Sequence, residues 1–149
     1  MATKNLLKSE FILLCDYAFI GEGGKLCIIG KFETVFVRDL PSQHPEMFIV
    51  AHFSGEPNST HDMKLSITDP KGEEMIGEDA PTFKIQLSGY GTGNFMHRLY
   101  NFPINNAGDY TISFIKEILQ ASLITDKKKL GSSKISVLRI KDPDKGQLN

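Results

Sequence analysis

A chain of 149 residues has room for one domain, which at this size buries about 70% of the surface its unfolded form exposes, so no disulfide or metal staple is required. Seventeen basic and eighteen acidic side chains leave a net charge of −1, which exerts no long-range pull on a polyanion and disfavours nucleic acid as the main partner. Hydrophobic content of 40% and charged content of 23% are those of an ordinary globular protein, and no segment has the length and apolarity of a membrane span.

Residues 1–10 are polar and mixed, and read as a loosely held arm able to continue into the first strand. Lys4 and Lys8 precede an apolar run that reaches Cys15 and so imitate a lipoprotein signal. The imitation fails because residues 11–14 are too short for its apolar region and bulky Leu14 stands where cleavage needs a small residue. The expectation is a soluble cytoplasmic protein with no membrane contact.

Residues 11–37 organise the rest. Two apolar runs, FILLCDYAFI and KLCIIGKFETVFV, flank Gly21-Glu22-Gly23-Gly24, and the first, too short and too evenly apolar for an amphipathic helix, reads as a strand buried on both faces. A hairpin with Gly23-Gly24 as a two-residue loop sets Asp16 opposite Lys31 and Cys27 opposite Ile20. Asp16, the only formal charge in its run, then reads as an ion pair or an edge cap, with ligand binding the sharper alternative. Cys15 and Cys27, out of register for a bridge, read as two buried free thiols.

The prolines at 41 and 45 make residues 41–45 a loop that carries the chain from one sheet to the other. Residues 47–53 resume as a strand, with Phe48, Val50 and His52 on one face and Ile49, Ala51 and Phe53 on the other. Residues 63–68 alternate Met63, Leu65 and Ile67 with Lys64, Ser66 and Thr68, the pattern of a strand with one wet face. Asp69-Pro70-Lys71-Gly72 suits a type I turn, after which residues 73–76 form a return strand.

Phe83, Ile85 and Leu87 mark the next strand and Gly89-Tyr90-Gly91-Thr92-Gly93 the next loop. Residues 95–104 follow, with Met96, Tyr100, Phe102 and Ile104 on one side and Arg98 interrupting it. A turn at 105–109 leads to Tyr110, Ile112 and Phe114. Residues 115–124 fit a hairpin through Lys116-Glu117, favoured here, or a short amphipathic helix. Lys127-Lys128-Lys129 and Gly131-Ser132-Ser133 read as a solvated linker, residues 134–140 as a possible final strand, and the remainder as a frayed tail.

Leu14-Cys15-Asp16-Tyr17, Gly24-Lys25-Leu26, Ile28-Ile29-Gly30, Pro41 and Pro45 with Phe48-Ile49-Val50 form one set of signatures. Asp69-Pro70-Lys71-Gly72, Phe102-Pro103-Ile104 and Ala107-Gly108-Asp109-Tyr110 form a second. Together, over about residues 11–124, the chain resembles an uncharacterised family of small bacterial β-sandwich proteins, a domain of unknown function. The resemblance implies a fold and names no activity.

The residues that could carry chemistry are scattered. His44, His52, His61 and His97 show no metal-ligand spacing, although His44 could meet His61-Asp62 at one end of a sandwich. Gly89, Gly91 and Gly93 precede a strand rather than the helix a phosphate cradle needs. Asp69, Glu73, Glu74, Glu78 and Asp79 form an acidic neighbourhood open to calcium but without EF-hand spacing. Ser59-Thr60-His61-Asp62 is adjacency without triad geometry, and the three lysines lack the aromatic interleaving of an RNA site.

The expected fold is all-β: a two-sheet antiparallel β-sandwich of about eight strands with Greek-key-like connections, the domain spanning 11–125 between the arm at 1–10 and the linker and tail at 126–149. The expected function is a non-enzymatic binding or scaffold module acting through protein–protein contacts, with a protein partner or a second copy of itself. No catalytic, cofactor-binding or metal-ligating residue is nominated, and no cofactor. The alternatives are a metal-dependent enzyme with an unrecognised site, and a small-ligand or sugar-binding sandwich using exposed aromatics such as Tyr90.

Overall fold

The structure, a computed structural model, describes residues 6–76, 82–120 and 123–140, with the backbone alone over 118–120 and 123–126. Among these residues the elements are β1 (Lys8–Ile20), a single 3-10 turn (Glu22–Gly24), β2 (Leu26–Phe32), β3 (Thr34–Val37), β4 (Ser42–Ser54), β5 (Thr60–Thr68), β6 (Phe83–Gln86), β7 (Thr92–Ile104), β8 (Gly108–Gln120) and β9 (Leu123–Arg139). A four-stranded sheet of order β2-β1-β4-β7 packs on a five-stranded sheet of order β3-β9-β8-β5-β6. The architecture is therefore the expected all-β sandwich, with nine strands and one parallel pair, β3 with β9. No helix of the described residues is long and apolar enough to cross a membrane.

Alternation builds the interlayer core. Met47, Ile49, Ala51 and Phe53 of β4 meet Met63 and Ile67 of β5, Ile85 of β6, Tyr110, Ile112 and Phe114 of β8, and Ile135 and Val137 of β9. Phe114 sits at its centre, edge-on to Phe53, Phe83 and Phe95 at centroid distances of 5.3, 6.1 and 5.1 Å, the geometry that aromatic quadrupoles favour. Tyr110, 1% exposed, donates its hydroxyl to Asn106 O at 2.8 Å, so the β7–β8 corner is pinned by a buried phenol whose polar end is satisfied.

Four details differ from the sequence reading. The opening hairpin turns through three residues, Glu22, Gly23 and Gly24, with Gly21 N donating to Lys25 O at 2.7 Å, so every pairing moves by one. Cys27 faces Phe19, Lys31 faces Cys15, and Lys31 pairs with Glu33 at 2.8 Å instead of with Asp16. The Asp16 carboxylate lies over Gly30, where φ is +70° and a Cβ would come within 2.4 Å of it. The run at 32–37 also divides: β2 ends at Phe32 in one sheet and β3 begins at Thr34 in the other. The chain returns to the first sheet through residues 38–41, so of the loop expected over 41–45 only Pro41 lies in the crossing and residues 42–45 already belong to β4.

Second, β7 changes face midway. Phe95 and Leu99 pack on the interlayer core, and so do Phe102 and Ile104, because Asn101 adopts φ +50° and turns the following residues over. Met96, Arg98 and Tyr100 are left pointing the other way. Third, the return strand at 73–76 reduces to one bridge, Thr68 with Glu74. Glu74 instead acts as a clamp, its carboxylate accepting from Ser66 Oγ and from Ile67 N at 3.0 Å. Fourth, residues 115–120 and 123–124 are strand, with Leu119 opposite Ile124 and Gln120 opposite Leu123, so the favoured hairpin forms in place of the helix, but its reversal lies beyond Gln120 and not at Lys116-Glu117. Those two residues pair with Lys128 and Lys127 inside the long β8–β9 ladder, and the lysine and Gly-Ser-Ser stretch forms strand rather than linker. The arm continues into the first strand from Lys8, as read, but β1 is not buried on both faces: Phe11, Tyr17, Phe19 and Ile20 are exposed, because no layer covers the outer side of its sheet among the described residues. Residues 1–5 and the tail from 141 lie outside the described residues.

Candidate functional site

β4 is apolar on both faces, and a two-layer sandwich supplies a second layer to only one of them. While Met47, Ile49 and Ala51 enter the core, Phe48 and Val50 point away from it into a separate cluster with Cys15, Ala18, Leu13, Leu26, Ile28 and Met96. The ladders explain the grouping. Leu13 of β1 and Met96 of β7 flank Val50, and Cys15 and Arg98 flank Phe48. Val50 and Cys15 have no exposed surface and Phe48 has 8%, although among the described residues no layer covers this face. They are shielded by a rim of large side chains on their own sheet: Phe11, Tyr17 and Tyr100, the last 60% exposed.

Arg98 is fixed at the centre of that rim. Its Nε lies 3.0 Å from Glu46 Oε1, its Nη1 donates to the Tyr100 hydroxyl, and its Cζ stands 5.0 Å from the Phe48 ring centroid and 5.3 Å from that of Tyr100. The Tyr100 hydrogen bond, followed by the Glu46 charge, pushes the guanidinium above its already high ordinary pKa. The cation is thus held flat against two aromatic faces with its charge balanced at hand. Tyr17 meets Phe48 edge-on at 5.2 Å, and Phe11 stacks on His52 at 5.6 Å, whose Nδ1 is 2.7 Å from Asn94 Oδ1. Cys15 belongs to the packing: burial raises its thiol pKa, and its Sγ donates to Tyr17 O at 3.3 Å.

The residues singled out from sequence fall elsewhere. Asp69 Oδ1 accepts from Lys71 N and Glu73 N, both at 2.9 Å, and so caps its own turn, while Glu74 is the clamp described above. Glu78 and Asp79 lie outside the described residues. His44 stands on β4 beside Phe32, at 5.5 Å between centroids, and His61 stands on β5 in the other sheet. His61 Nε2 is 2.8 Å from Ser59 Oγ, a serine–histidine contact that adjacency did supply. No triad follows, since that hydroxyl also donates to Glu56 O and the Asp62 carboxylate pairs with Lys84 at 2.7 Å. Among the described residues no three histidine, cysteine or acidic side chains gather as metal ligands.

Gly91 and Gly93 serve close packing: a Cβ at Gly91, φ +77°, would lie 2.3 Å from Gly55 O, and one at Gly93 would meet Leu87 at 3.1 Å. Tyr90 projects from that loop at 95% exposure, beside a cavity of about 580 Å³. Both cysteines are free, Cys15 buried and Cys27 half-buried.

The outer cluster had a sequence signal in Met47-Phe48-Ile49-Val50-Ala51, five apolar residues in a row within a two-layer fold. Its partners from β7 were masked by the change of face at Asn101.

A family model described as a family of unknown function (DUF6941) matches residues 10–117. No curated protein matches the chain.

Proposed function

The chain belongs to the DUF6941 family of unknown function, and from there we propose that it is a non-catalytic docking module whose outer aromatic face, on the four-stranded sheet, receives a segment of a protein partner. The observation that carries this reading is the apolar cluster of Phe48, Val50 and Cys15 on the side of the sheet turned away from the sandwich core. Its composition is that of an interface centre, where tyrosine, phenylalanine, methionine and arginine are enriched and unpaired charge is rare. Arg98 is paired with Glu46 and Lys31 with Glu33, and the exposed Asp16 carboxylate beside Cys15 is a charge that an occupant would meet.

Size separates a partner segment from a second copy. The exposed parts of Phe11, Tyr17, Phe19 and Tyr100 amount to on the order of 400 Å² of mainly apolar surface. Of the roughly 800 Å² per partner that a stable interface between folded domains buries, these side chains alone supply about half, an apolar centre of a size that suits a segment or a transient encounter. A homodimer is therefore the second reading. Two free thiols fit a reducing compartment and so support a cytoplasmic setting, and the sequence resemblance supports a bacterial one.

Benzoylphenylalanine incorporated at Tyr100, with Lys134 on the five-stranded sheet as control, tests this in the native host. A discrete protein adduct from position 100, absent at position 134 and lost on Phe48→Ala, is the expected result. An adduct of twice the chain mass would identify the second copy, and indistinguishable labelling at the two positions refutes the docking face.

A further inference from the structure

The start of β1, the end of β4 and the loop carrying Tyr90 border the open cavity of about 580 Å³, a volume within the range of small-molecule sites. Leu6, Lys8, Glu10, Ser54, Tyr90 and Thr92 supply its side chains, and Gly55 and Gly91 its backbone wall. It lies apart from the aromatic face, since neither Phe48, Arg98 nor Tyr100 lines it.

The loop is built to present Tyr90. Ser88 N donates to Thr92 O at 2.8 Å, Gly91 N to Ser88 O at 2.9 Å, Tyr90 N to Ser88 Oγ at 3.2 Å, and Gly55 N to Gly91 O at 2.9 Å. Gly91 at φ +77° permits the close approach to Gly55. The backbone is therefore anchored on both sides while the ring stands almost fully in water, a flat apolar surface held without a partner among the described residues. Facing it is a polar set already in order. Ser54 Oγ donates to Glu10 Oε1, and Lys8 Nζ lies 3.5 Å from the same oxygen. The Ser54 hydrogen bond and the Lys8 charge hold Glu10 below the usual carboxylate range, so it remains an acceptor at neutral pH.

These features select a ligand class. The Lys8 and Glu10 charges cancel, which removes the attraction for an anion or a cation, and the polar lining disfavours a purely apolar guest. What matches is a molecule with an apolar C–H face on one side and both donors and acceptors along its edge. We propose that the cavity binds a neutral saccharide, with Tyr90 as the stacking platform and Glu10, Ser54 and Lys8 as the hydrogen-bonding edge. A monosaccharide of roughly a dozen non-hydrogen atoms would bind with about millimolar affinity.

Saturation-transfer NMR with glucose, N-acetylglucosamine and cellobiose as probes tests the assignment. Transfer to the ring protons of at least one probe is expected, weakened about tenfold in affinity by Glu10→Gln and lost in Tyr90→Ala. Tyr90→Phe keeps the stacking surface and should keep binding, and Tyr100→Ala, on the docking face, should leave it unchanged. No transfer from any probe at about 20 mM, or equal transfer in Tyr90→Ala, overturns the proposal.

Discussion

Val50→Ala asks whether the outer cluster is a packed core or a loose scatter of apolar side chains. The change removes two methyl groups from a residue with no exposed surface, walled by Leu13, Cys15, Phe48 and Met96. At about 0.8 kcal/mol per buried carbon the transfer loss is roughly 1.6 kcal/mol, and a partly collapsed cavity brings the total to about 2 kcal/mol. Met96, being unbranched, can recover some of that space and keeps the figure from rising further. Ile29→Ala on the same sheet deletes a side chain that is already half in water and should cost about 0.5 kcal/mol or less. Urea unfolding followed by circular dichroism separates the two, since with a slope near 2 kcal/mol/M the Val50→Ala midpoint falls by about 1 M at unchanged slope. A Val50→Ala variant as stable as Ile29→Ala would refute the packed cluster, and the docking face with it.

Three further outcomes follow from local geometry. Gly91→Ala should destabilise more than Gly72→Ala in the same urea assay: both have positive φ, costing about 1–2 kcal/mol, but only at Gly91 does the new Cβ strike backbone. Burial and then the Lys116 charge hold the His61 pKa below its ordinary 6.5, with Asp62 opposing. The unfolded chain therefore takes up the proton first, so the stabilisation is fully present above about pH 6.5 and is lost as pH falls through the folded-state value. The drop in urea midpoint from about pH 7.5 to pH 5 should be smaller in His61→Gln, and an NMR titration of His61 at or above its ordinary value would contradict this. With Ellman's reagent on the native protein, Cys27 should react first and Cys15, buried and with a raised pKa, only on unfolding; Cys27→Ser should remove the fast phase.

The strands were legible where alternation is local. Residues 63–68 and 110–114 declare one apolar face each, and Met63, Ile67, Tyr110, Ile112 and Phe114 all enter the core. The turn at Asp69 was equally legible, since its carboxylate, proline and glycine act within five residues. The opening hairpin was not, because glycine tolerates two-residue and three-residue loops alike and one extra residue moves every cross-strand pair. The reach of β8 was hidden for another reason: Ile115 and Lys116 are strand only because β5 and β9 pair with them on either side.

The candidate site was half legible. Phe48 and Val50 could be assigned to one face of a strand, but whether that face met a second sheet or water is a matter of layer order, which alternation does not encode. Tyr90 was visible as an aromatic among glycines, whereas Lys8, Glu10 and Ser54 come from strands far apart in sequence and meet only through the β1–β4 ladder.

What this chain's sequence settles alone is its stock of strands and reversals, because side-chain polarity with a period of two and the special dihedrals of glycine and proline act between near neighbours. The folded arrangement decides which apolar face is sealed and which is offered, because that depends on strand order, on the inversion at Asn101, and on β3 leaving its hairpin partner for the opposite sheet. Those are long-range pairings, and their energy appears only once distant segments have met.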